Sequence, residues 1–134
     1  MKAAFGDAVY FIGLVNPDDQ YHREAVALSK SPPGPLLTTE WVLAEVGDAL
    51  SQPENRTRFR RLIELLRSRD DVEIVPASSG SFQRACELHA QRSDKEWSLT
   101  DCTSFLVMEE RGLTHALSSD HHFEQAGFEI LFKG

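Results

Sequence analysis

Long apolar runs are missing from this chain, and no segment approaches the roughly 20 uninterrupted apolar residues that a bilayer-crossing helix needs. The N-terminal stretch also lacks an apolar signal region followed by a cleavage site, so a cytosolic protein is expected. There are only two cysteines, Cys86 and Cys102, and neither belongs to a paired Cys/His spacing, which argues against a structural zinc site. Both fall within helical patterns among apolar neighbours, and the expectation is two buried free thiols. A basic excess is missing as well. The formal net charge of −7 excludes wrapping the whole surface in nucleic acid and leaves only a local basic patch open. There is no glycine-rich phosphate loop, no internal repeat and no low-complexity tract, and none of the five histidines has a partner suited to nucleophilic catalysis.

What is present fits one folded unit spanning residues 1–134, since an apolar fraction of 41% over that length is enough for a real core. Ala3 to Phe5 reads as a brief strand that meets Gly6 and Asp7, and the dense apolar run Val9 to Val15 reads as a helix. Asn16-Pro17 marks a restart, with Pro17, Asp18 and Asp19 suited to the first turn of a second helix. After the loop Ser31 to Pro35, Leu36 to Thr38 gives another strand. Thr38 or Thr39 can then cap a helix that places Glu45 and Asp48 on one stripe. Pro53 opens an arginine-rich helix, and Val72 to Val75 is a strand. Ser78 to Ser81 caps the helix that follows it. A helix from Thr100, stopped by Gly112, runs into the strand Thr114 to Leu117, and Phe128 to Phe132 closes the chain as an alternating edge strand. Five short strands separated by helical patterns predict an α/β fold with a parallel sheet, helices on both faces and right-handed crossovers.

In that arrangement an acid recurs where the sheet meets its loops. Asp7 follows the first strand, Glu45 sits in the helix after the second, and Asp101 and Asp120 flank the fourth. Each alone reads as a cap, a helix-dipole partner or a solvated charge. Together they would converge at the carboxyl edge, where open sheets build their sites. Converging carboxylates repel one another, and the hard, oxygen-seeking ions Mg2+ or Mn2+ would relieve that repulsion. Phosphodiester hydrolysis by a metal-activated water is the chemistry such a site supports.

The same residues carry a resemblance. Gly6-Asp7 with its apolar helix, Asn16-Pro17-Asp18-Asp19 with His22, and Thr38 to Glu45 occur in order. They are followed by Leu99-Thr100-Asp101-Cys102-Thr103-Ser104-Phe105 and Ser118-Ser119-Asp120-His121-His122-Phe123, continuing into Gly127-Phe128. In this the chain resembles the PIN-domain ribonucleases found as toxins in VapBC toxin–antitoxin pairs. The resemblance implies a three-layer α/β/α sandwich with a central, mostly parallel five-stranded sheet, commonly homodimeric. It also implies an Mg2+- or Mn2+-dependent endoribonuclease in which Asp7, Glu45, Asp101 and Asp120 hold the metal, with RNA as substrate and a small antitoxin protein as partner. The sequence departs from the pattern in one place. Members often carry a hydroxyl residue shortly after the first Asp, whereas Ala8-Val9 stand here, leaving Thr100 or Ser104 to serve.

Glu40 competes with Glu45 for the second acidic position, but five residues along a helix point in different directions. Arg56, Arg58, Arg60, Arg61, Arg67 and Arg69 could grip RNA phosphates, or form a solvated face paired with Glu54, Glu64 and Asp70. Trp41 and Trp97 are expected to pack in a core or an interface in preference to stacking on bases. His121 and His122, being adjacent, are expected to diverge as ligands. Two alternatives stand beside the nuclease. One is a PIN-like module that binds RNA or protein without cutting, and the other a phosphoacceptor domain, for which Lys133 would have to supply the lysine after the last strand.

Overall fold

A computed structural model describes residues 3–132. The strands are short and mostly apolar, and the first four are each followed by a helix with a polar residue at its N-cap. β1 (Ala4–Gly6) runs into α1 (Ala8–Val15), with Asp7 at the N-cap position. α2 (His22–Lys30) leads to β2 (Leu36–Thr39), and Thr39 caps α3 (Glu40–Ala49) by accepting the Val42 N–H at 3.1 Å. α4 (Pro53–Ser68) starts with proline at its first position, as the missing N–H allows. β3 (Val72–Val75) precedes α5 (Ser79–Gln91) and α6 (Leu99–Glu110). β4 (His115–Leu117), α7 (His121–Gln125) and β5 (Glu129–Ile130) complete the order.

The five strands form one sheet in the order β3-β2-β1-β4-β5, every pairing parallel, so the expected mostly parallel sheet is wholly so. The chain steps from β1 to β2 to β3 in one direction, then jumps back past β1 to β4. This makes β1/β4 the switch point, where a crevice opens at the carboxyl ends. Right-handed crossovers put the two directions of travel on opposite faces. Accordingly α1 packs with α2, α3 and α4, while α5 packs on α6 and α6 on α7. Phe5, Phe11, Val42, Val46, Met108 and Phe123 lie at the centre of the core.

Two glycines end helices as the chain turns back to the sheet. Gly112 at φ +66° and Gly127 at φ +98° each follow a C-cap, and the residue after each returns an N–H to a carbonyl five back, Leu113 to Met108 at 2.9 Å and Phe128 to Phe123 at 3.0 Å. Gly6 has a different task. A Cβ there would lie 2.7 Å from the buried Phe11 ring, so only glycine lets α1 fold back over β1 and fix the direction in which Asp7 leaves the strand.

Two expectations need correction. Residues 17–21 form turns and α2 starts at His22, because the Asn16 and Asp19 side chains capture the backbone N–H groups of Asp18 and Tyr21 at 3.1 and 2.9 Å, in competition with the helix. Cys102 is buried, but Cys86 is exposed. α5 is an outer helix with Ala85 as its one fully buried residue, and the next position faces water.

Candidate metal centre at the carboxyl edge of the sheet

Asp7 is the innermost acid. Its backbone N–H extends the β1/β4 pairing to the Leu117 carbonyl at 3.3 Å, which plants the side chain in the switch-point crevice. The residue is only 7% exposed. Burial pushes its carboxyl up from 3.8 to about 6, opposed by hydrogen bonds from Ser118 and the Ala8 backbone, and the nearby charges of Asp101 and Glu45 raise it further.

Ser118, fully buried at the end of β4, donates its hydroxyl to Asp7 Oδ2 at 2.7 Å and accepts the Asp120 backbone N–H at 3.0 Å. A single hydroxyl thus joins the two strand ends that carry acids. Sequence reasoning passed over Ser118 and looked for a hydroxyl at Thr100 or Ser104. Thr100 is engaged with Glu45. The Ser104 hydroxyl, one turn beyond Asp101, is buried with no hydrogen-bond partner. Its place mirrors that of Asp7, since Ser118 immediately follows β4 as Asp7 follows β1, but the bond between them is visible only in the fold.

Asp101 reaches the crevice from the first turn of α6. It is the third helical residue, and its carboxylate closes a capping box by accepting the Ser98 N–H at 3.0 Å. The same oxygen, Oδ2, lies 3.1 Å from His122 Nδ1. Asp120 caps α7 by accepting the His122 N–H at 2.9 Å, and its Oδ1 lies 3.4 Å from His122 Nδ1. Glu45 approaches from α3 as an outwardly exposed residue whose carboxyl reaches Thr100. Desolvation raises its pKa, as do the charges of Asp101, Asp120 and Asp48, while the Thr100 hydrogen bond lowers it.

The structure therefore brings Asp7 within electrostatic range of Asp101 and Glu45, and Glu45 within range of Asp101 and Asp120. Among the described residues no lysine or arginine forms an ion pair with any of them; the basic partners at the crevice are His121 and His122. Negative charge held partly out of water without a fixed cation suits a divalent ion with oxygen ligands. The expected divergence of His121 and His122 does not occur. Both rings turn an Nδ1 toward Asp120 Oδ1, at 3.7 and 3.4 Å, which brings their centroids within 4.5 Å.

Other sequence candidates lie outside the crevice or remain unpaired. Glu40 accepts the Ala77 N–H at 2.7 Å, tying α3 to the loop after β3. Trp97 is buried against Phe105, and its indole donates to Gln125 at 3.0 Å. Trp41 is half-buried, stacked on the exposed Phe82 ring with centroids 6.2 Å apart. The expected pairing of α4 arginines with Glu54, Glu64 and Asp70 is absent among the described residues. Arg58 and Arg56 bond instead to the Asn55 side chain and the Ser51 carbonyl. Lys133, which the phosphoacceptor reading requires, lies outside the described residues.

Comparison with known proteins identifies the family and the fold. The family model described as PIN domain matches residues 5–129. A 23S rRNA-specific endonuclease, VapC20 of Mycobacterium tuberculosis, is 29% identical over 126 residues, covering 92% of this chain and 94% of the relative. The crystal structure of that sarcin-ricin-loop-cleaving toxin superposes with a TM-score of 0.84 at 26% identity, covering 95% and 96% of the two chains. A FitAcB structure from Neisseria gonorrhoeae shares the fold, with a TM-score of 0.68 at 15% identity and coverage of 98% and 97%.

Proposed function

The chain belongs to the PIN domain family, and on that premise we propose that it is a divalent-metal-dependent endoribonuclease, the toxin of a toxin–antitoxin pair. What supports the reading is that Asp7, buried at the switch point of the sheet, feels the charges of Glu45 and Asp101, and that Glu45 in turn feels Asp101 and Asp120. Those four residues would offer the oxygen ligands that Mg2+ or Mn2+ prefers, and the ion would supply an activated water and neutralise charge on the scissile phosphate. The chain's own residues do the rest. Ser118 orients Asp7, the α6 capping box and His122 hold Asp101, and the α7 cap holds Asp120. Likeness to a 23S rRNA-specific endonuclease makes ribosomal RNA the first substrate to test and the cytoplasm the place of action. An antitoxin protein and a homodimer complete the proposal.

The rival reading, a module that binds without cutting, rests on Ala8-Val9. Ser118 weakens it by supplying Asp7 with a hydroxyl from another strand. The test is cleavage of an rRNA fragment by the wild type and Asp101→Asn, with Mg2+ or Mn2+ and with a chelator. Wild-type cutting should vanish with the chelator, and the variant should lose more than the roughly 10–100-fold typical of a lost supporting contact at a metal site. Equal cutting by both proteins would mean a contaminating nuclease and defeat the assignment.

A further inference from the structure

We propose that Asp120, His121 and His122 form a second cation position on the rim of the crevice, one that takes a nitrogen-accepting divalent ion of the Co2+, Ni2+ or Zn2+ class. One donor atom from each of the three residues lies within 4.8 Å of the others. The two rings are tilted 53° to one another with centroids 4.5 Å apart, so adjacent imidazoles converge where free rotation would let them part. What holds them is local. Asp120 accepts the His122 N–H at 2.9 Å and fixes the turn, and His121 Nδ1 and His122 Nδ1 both face Asp120 Oδ1.

His122 has a further contact that a purely structural helix start does not need. Its Nδ1 lies 3.1 Å from Asp101 Oδ2; with the proton on Nδ1 donated to that carboxylate, the support that orients a metal-binding imidazole, Nε2 is the nitrogen left to take the ion. The donor set also separates this position from the carboxylate crevice. Oxygen ligands alone suit Mg2+, whereas two imidazoles beside a carboxylate favour ions later in the first transition row. Exposure rises outward, from 18% for the His122 side chain through 30% for Asp120 to 70% for His121, so an ion arriving from solvent meets His121 first. Asp120 belongs to both positions. The proposal leans on the ribonuclease reading only for the neighbouring carboxylate-bound ion; the rim itself stands on the geometry of these three residues.

The experiment titrates Co2+ into the metal-stripped, untagged full-length chain, following heat, visible absorption and paramagnetically shifted imidazole proton signals. Wild type is expected to show two shifted imidazoles. His121→Asn, a change at an exposed side chain, should remove one of them and weaken Co2+ binding by more than the roughly tenfold of a lost supporting contact. The His121→Asn/His122→Asn double variant should remove both. Mg2+ affinity should move less than about twofold in His121→Asn, because Mg2+ seeks oxygen. Shifted signals that persist in the double variant would place the ion at His22, His89 or His115 and overturn the proposal, as would a wild type that binds no Co2+. If the double variant does not fold, the single variant decides. RNA cleavage with Mg2+ is a separate readout, so its absence would defeat the ribonuclease reading and leave the Co2+ result standing.

Discussion

Asp7 shows how much of this site depends on a residue placed against its own stability. Its carboxyl is pushed up from 3.8 to about 6, chiefly by burial, so in the window between those values the folded protein keeps a proton that the unfolded chain has released. Stability therefore falls as pH rises through that window, and the cost is complete above about pH 6. A shift of that size corresponds to at most about 3 kcal/mol at 1.36 kcal/mol per unit. Asp7→Asn removes the charge and keeps an oxygen to accept from Ser118. With chelator present at pH 7.5, the variant should unfold at higher urea, gaining about 1–3 kcal/mol, and the gain should disappear near pH 4. A variant no more stable at pH 7.5 than at pH 4, each relative to wild type, would mean that Asp7 is not destabilised by burial.

At the scale of elements, α4 gathers positive charge that forms no ion pair among the described residues. Arg56, Arg60 and Arg67 fall on one stripe at helical spacing, about 16 Å long, and none forms an ion pair among the described residues. With RNA as substrate, that stripe would suit backbone phosphates. Binding measured with Asp101→Asn, so that the RNA stays intact, should weaken when Arg56 and Arg60 are both changed to Ala. Its dependence of log K on log salt should flatten by about 1.4, two single-strand phosphate contacts at roughly 0.7 each. Unchanged affinity and slope would reduce the stripe to a solvated face.

The elements also show what a sequence discloses. The order of strands and helices, the Gly112 stop and the position of Asp101 in a first turn were legible because each follows from local chemistry, whereas the last strand, expected over Phe128 to Phe132, is only Glu129–Ile130. Ser118 was not legible, since its bond to Asp7 spans 111 residues and one serine in a polar turn has no period. The closeness of His121 and His122 depends on side-chain rotation toward Asp120, which adjacency in sequence does not specify. The start of α2 was missed because Asn16 and Asp19 satisfy the backbone locally, a competition that helix signals do not register.

Across the whole molecule, the crevice joins the two halves of the sheet. β1 and α3 bring Asp7 and Glu45, while α6 and the end of β4 bring Asp101 and Asp120, so repulsion among these acids opposes the closure that the core drives. A cation bound there should tighten the fold globally. At a free Mn2+ concentration 100 times its dissociation constant, linkage gives about 2.7 kcal/mol. For a chain of this length that is roughly 5–10 °C in Tm. The rise should be reversed by chelator and should shrink markedly in Asp101→Asn, whose crevice has lost one charge. It should also be larger at pH 7.5 than at pH 5, because below about pH 6 Asp7 takes up a proton and competes with the ion. Calorimetric scans of both proteins at the two pH values decide it. A Tm indifferent to Mn2+ at pH 7.5 would show that the four carboxylates do not act together as a cation site.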